Sequence, residues 1–169
     1  MDPNTWTVVV LTEEAFGDVD ARNVAELHAD ARAAGDDVRH VVLVPADTQR
    51  SLLAGFLDHL SLGELKEAFA EVREGRHPDG ARADAETALA ATLAALRELG
   101  LSAEGRTTDD DPLPAVRDAL SDGPDARELV VVTRPHAVED TLHTDWASRA
   151  RDEFGVPVLH VYAGTTRLG

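Results

Sequence analysis

The sequence predicts an α/β protein, a doubly wound five-stranded parallel sheet with helices on both faces. Three observations carry this. Apolar, β-branched runs recur at 6–12, 38–45, 128–134 and 156–163, and near-continuous apolar runs mark strands buried on both faces. Helical stretches separate them, the pattern of parallel strands joined by crossovers. Those crossovers are right-handed by rule, which winds the sheet in both directions from its middle.

WTVVVLT, at 6–12, is the first strand. Asp18 or Asp20 caps the helix that follows. Val24, Leu27, Ala31 and Ala34 share one face of it, and Gly35 ends it as a left-handed cap. VRHVVLVP, at 38–45, is the second strand. Leu52, Leu53, Phe56, Leu57 and Leu60 mark a short helix, and SLGELKEAF, from Ser61, a second. A cluster of Gly, His and Pro at 75–80 breaks the chain, so 46–80 reads as an extra helical region within a single domain spanning 1–169.

An Ala-rich helix then runs from Ala81 to Leu99, with Ala85, Leu89, Leu93 and Leu96 on one stripe and Gly100 ending it. SAEGRTT, at 102–108, is a weak strand. Asp111 as cap and Pro112 at the first helical position start the next helix, and Gly123 closes it. ELVVVTR, at 128–134, is the fourth strand. The loop TRPHAVEDTLHTDW, at 133–146, leads into a helix from about Thr144 to Phe154. Gly155 and VPVLHVYA, at 156–163, complete the order.

Composition narrows the function. The 169 residues are 43% hydrophobic but only 4% aromatic, so Val, Leu and Ala must build the core. The absence of cysteine excludes disulfides, iron–sulfur clusters, thiolate zinc sites and Cys nucleophiles. The net charge of -16 repels phosphate backbones and anionic lipid headgroups, so neither nucleic acid nor membrane is an expected partner. No apolar run reaches membrane-spanning length. MDPNTW, at the start, shows no basic-then-apolar leader. A cytoplasmic location is expected.

In its second half the chain resembles the universal stress protein family. The resemblance rests on TTDDDPLPAVRDAL, then DARELVVVTR, then a helix and GVPVLHVY. It implies the strand order 3-2-1-4-5, as in adenine-nucleotide hydrolase-like folds, and a homodimer meeting through the last strand, 156–163. That strand is apolar on both faces and would be a sheet edge, and apolar edges are usually paired or covered. The chain also departs from the family. Its ATP binders carry a Gly-two-Gly-nine-Gly-Ser loop after strand four, whose glycines let backbone amides approach phosphates. Here no glycine stands between Gly123 and Gly155, and Thr144 and Asp145 occupy the place of the final Gly-Ser. Strand one ends in Thr12, Glu13 and Glu14, where those binders tend to carry Asp. The resemblance therefore implies the fold without ATP binding, and no cofactor is expected.

In an open parallel sheet, ligands sit beyond the carboxyl ends of the strands where the order reverses. With order 3-2-1-4-5 that crevice lies between strands one and four. Thr12, Glu13 and Glu14 would face Thr133, Arg134, Pro135 and His136 across it. His136, His143 and Asp145 are donors that suit zinc, iron or manganese, but their spacing matches no compact motif, so no metal is expected. Arg134 and His136 could grip a small anion. The acids nearby favour instead an Arg134 tied down by Glu13, Glu139 or Asp140.

Thr144 is expected to cap its helix, with Asp145 in the first turn and Trp146 packing the helix down. His160 alternates with Val158 and Tyr162 and reads as structural. His28, His40, His59 and His77 form no visible constellation. No Walker loop, Gly-x-Ser-x-Gly elbow or His-x-Gly-His motif is present. The functional expectation is a universal stress protein-like stress-response or regulatory module. The alternative is a small-ligand or metal-binding enzyme using the crevice between strands one and four.

Overall fold

The structure, a computed structural model, describes residues 4–46, 78–109, 111–122, 125–134 and 143–166, with the backbone alone at 78–79, 143–147 and 149. The short helices expected between 52 and 69 lie outside the described residues. In chain order the elements are β1 (Thr5–Thr12), α1 (Asp18–Leu27), α2 (Ala29–Ala33), β2 (Asp37–Pro45), α3 (Pro78–Glu98), β3 (Ser102–Thr108), α4 (Leu113–Asp122), β4 (Ala126–Thr133), α5 (His143–Phe154) and β5 (Val158–Tyr162). The five strands form one sheet in the order β3-β2-β1-β4-β5, and every pairing is parallel.

Strand alternation divides the core in two. Val8, Val10, Val42, Val44, Val130 and Val132 point to one face, where Val24 of α1 and Ala85 and Leu96 of α3 meet them. Val9, Leu11, Leu43, Leu129 and Val131 point to the other, beneath Leu113 and Val116 of α4 and Ala150 of α5. Each fully buried Val or Leu contributes about 1.5–3 kcal/mol, so these central strands dominate the stability of the described region.

The helix expected over 18–34 breaks at His28, which ends α1 and precedes α2 with φ of -122°. No proline or glycine causes this. The break coincides with His28 turning its ring onto the sheet, where Nε2 lies 2.6 Å from Glu128 Oε2. Gly35 then takes φ of +99°, the left-handed conformation expected of it. The carboxylate of Asp111 accepts from the Leu113 amide at 3.0 Å, as the cap reading requires.

β3 is an edge strand with a mostly exposed or half-buried pattern, which is why its sequence looks weak. Gly105 within it is obligatory, because a Cβ there would stand 2.3 Å from the Val42 carbonyl oxygen. α5 begins at His143, so Thr144 lies inside the first turn and is not the cap the sequence implied. β5 is shorter than the expected 156–163, although Leu129 N still donates to Pro157 O at 3.0 Å.

Candidate functional site

β1 and β4 are neighbours, and the crossovers from them lead to opposite faces, so their carboxyl ends form the switch point. The residues that follow these two strands close that point. Glu13 is only 1% exposed, and its Oε1 accepts a hydrogen bond from the Arg134 backbone N–H at 2.6 Å. A carboxylate buried this deeply is costly unless hydrogen-bonded, and an amide donor supplies part of that compensation. Arg134 Nε donates to Glu14 Oε2 at 2.7 Å, which neutralises the guanidinium at the mouth.

Thr12 shapes the turn that aims both acids. Its Oγ1 donates to the Glu14 carbonyl at 2.8 Å and accepts from the Glu14 amide at 3.3 Å. Beside it, Thr133 Oγ1 and His160 Nε2 lie 2.7 Å apart in the buried sheet. The turn after β1 is pinned to α3, where Phe16 N donates to the buried Thr92 Oγ1 at 3.1 Å. Asp20 clamps the neighbouring turn. Its Oδ2 accepts from Gly17 N at 3.0 Å and its Oδ1 from Gly164 N at 2.6 Å, joining the start of α1 to the end of β5.

Of the crevice residues named from sequence, the structure brings together Thr12, Glu13, Thr133 and Arg134. The partner of the Arg134 side chain is Glu14. Pro135, His136, Glu139 and Asp140 lie outside the described residues. His143, Thr144, Asp145 and Trp146 occupy the first turn of α5, and only their backbone is described. Among the described residues, no group of three or more His, Asp or Glu side chains is placed to hold a metal ion.

A second polar cluster escaped the sequence reading. His40 on β2 and Glu128 on β4 both pair in register with Val8 of β1 and so share its face. His28 comes down onto that face, bonding Glu128 and standing with its ring centroid 6.0 Å from that of His40. Trp6 meets His28 edge-on at 5.2 Å. Only the break between α1 and α2 brings His28 here, and no spacing in the sequence signals it.

These features define a class: an open, doubly wound α/β protein whose switch-point crevice is spanned by its own carboxylates. More particularly, the fold is that of the universal stress proteins. The chain is similar to a universal stress protein from Archaeoglobus fulgidus, at TM-score 0.50 and 16% identity, covering 91% of this chain and 92% of that one. It is also similar to a universal stress protein family protein from Arabidopsis thaliana, solved with AMP bound, at TM-score 0.48 and 13% identity, covering 96% and 94% of the two chains. No protein-family model and no curated protein matches the sequence. Among the described residues, no helix is long and apolar enough to cross a membrane.

Proposed function

We propose that this chain is a stress-response or regulatory module of the universal stress protein type that does not bind ATP and acts as a cytoplasmic homodimer. The observation that carries this reading is the occupation of the Arg134 amide by Glu13. A phosphate at a switch point needs free backbone N–H groups or cationic side chains. Here the amide serves an internal carboxylate, and the guanidinium beside it serves Glu14. The net charge of -16 adds a field that opposes any polyanion.

A module without catalysis acts through its surfaces. β5 is the sheet edge on the β4 side, with Val158, Leu159 and Tyr162 half-buried. A second copy covering that edge would satisfy its open backbone groups. A thermal-shift series with ATP, ADP and AMP, each with and without magnesium, tests the ligand half of the proposal. It predicts no rise in Tm at millimolar nucleotide. A rise that grows with nucleotide concentration would overturn it.

A further inference from the structure

We propose that α2 is an acid-released latch: when His40 takes up a proton, residues 28–36 lift from the face of the sheet while the strands stay folded. The inference does not depend on the reading given to the crevice.

The segment is built to come away. α2 buries no residue of its own, and only its Ala31 packs partly against the core. It lies between two joints that are not helical, His28 with φ of -122° and Gly35 with φ of +99°. Polar contacts hold its two ends. His28 Nε2 lies 2.6 Å from Glu128 Oε2, and the Asp36 carboxylate accepts from Trp6 Nε1 at 3.0 Å. Between them, Arg32 donates to the Ala25 carbonyl at 2.7 Å, while its Nε is buried with no partner among the described residues. On the same face, α1 and α3 bury Val24, Ala85 and Leu96. Local opening selects the element with the least buried apolar surface, which here is α2.

His40 lies against this segment, 1% exposed, with its ring centroid 6.0 Å from that of His28. Its Nδ1 is 3.2 Å from the Ser102 carbonyl oxygen, which only accepts, so Nδ1 carries the hydrogen and an incoming proton goes to Nε2. Nε2 is buried with no partner among the described residues. A buried, charged N–H without an acceptor bears its full desolvation cost.

The surrounding elements do little to offset that cost. The α1–α2 break brings His28, and α2 brings Arg32, whose charges both oppose the proton. β4 brings Glu128, already bonded to His28. α3 sets Arg97 on the carbonyl of Ala103, the β3 partner of His40. β1 pairs the uncharged Val8 with it. Burial above all, against the opposing Ser102 hydrogen bond, holds the His40 pKa at about 4. Lifting 28–36 lets water reach Nε2 and carries Arg32 away. Below pH 6.5 the open form takes the proton that the closed form refuses, so opening gains as pH falls from 6.5 toward 4.

Hydrogen exchange on the full wild-type chain tests this. Corrected for intrinsic exchange, the amides of 29–36 should open about 20-fold more readily at pH 5 than at pH 7. That is the ratio for a ring with a pKa of about 4 when closed and 6.5 when open. At both pH values they should open more readily than the amides of β1 and β4. His40→Gln should abolish the change. Trp6 is a second reporter, because it touches both ends of the segment. In Trp146→Phe it is the sole tryptophan, and its emission should shift red below pH 6.5 before far-UV circular dichroism is lost. The proposal is overturned if 29–36 open only together with the central strands, or equally at pH 5 and pH 7. A change that persists in His40→Gln, or emission and circular dichroism that move as one transition, would overturn it as well.

Discussion

The Arg134 amide donates to Glu13 Oε1 at 2.6 Å, a part-buried bond between residues 121 positions apart that ties the end of β4 to the end of β1. Glu14, one position on, pairs with the Arg134 guanidinium, and both partners of that pair are a little over one-third exposed. The two acids should therefore differ sharply in worth. Glu13→Gln keeps the volume but replaces the carboxyl acceptor of a side chain only 1% exposed, and should cost about 1–3 kcal/mol. Glu14→Gln removes a solvent-screened ion pair and should cost about 0–1 kcal/mol. Urea denaturation of both variants checks the order. Equal effects would mean that the amide bond is not what holds the crevice shut.

His40 sets a pH dependence of stability. Its folded pKa is about 4 against an ordinary 6.5, chiefly because burial disfavours the charged ring. Below pH 6.5 the unfolded chain takes up a proton that the folded chain refuses, so stability falls as pH drops from 6.5 toward 4. This one group should remove roughly 2 kcal/mol between pH 7 and pH 5. Denaturant midpoints at those two pH values measure the loss. His40→Gln should flatten the dependence, and an unchanged slope in that variant would contradict the assignment.

Gly105→Ala should destabilise the β2–β3 edge by about 1–3 kcal/mol, the usual range for overpacking. The new Cβ would meet backbone, the Val42 carbonyl oxygen at 2.3 Å, and Leu89 Cδ1 at 2.9 Å. The Leu89 side chain can shift, but the strand carbonyl cannot without breaking the ladder. A thermal melt within a degree of wild type would show that β3 lies further from β2 than described.

Val158 is a half-buried residue on the open edge strand. If the homodimer forms there, Val158→Lys should convert a dimer to a monomer in light scattering at micromolar protein, since an edge lysine opposes strand pairing. A wild-type monomer, or a dimer indifferent to this substitution, would place any contact elsewhere.

Much of the fold was legible because its signals are local. Val8, Val9, Val10 and Leu11 form one uninterrupted apolar run, and a strand buried on both faces needs no more than that. The break at His28 was not legible, since residues 24–34 keep a helical spacing and the partner His28 meets there is a carboxylate on β4. The crevice could be placed from strand order, with Thr12, Glu13, Thr133 and Arg134 at its edges. Which acid would take the amide and which the guanidinium could not be read. That choice depends on the turn set by Thr12 Oγ1 and on a bond spanning most of the chain. The juxtaposition of His28 and His40 was hidden as well: strand register sets His40 beside Val8, and the break between α1 and α2 brings His28 over that face.

The claim that the crevice is occupied by the protein's own carboxylates is tested most directly by calorimetry with ATP, with and without magnesium. Magnesium is the critical arm, because it could bridge Glu13 or Glu14 to a triphosphate. The account predicts no binding heat in either arm at physiological nucleotide concentrations. A dissociation constant of about 10 µM or tighter, roughly -7 kcal/mol, in either arm would contradict it, and would mean that Glu13 yields the Arg134 amide to a phosphate.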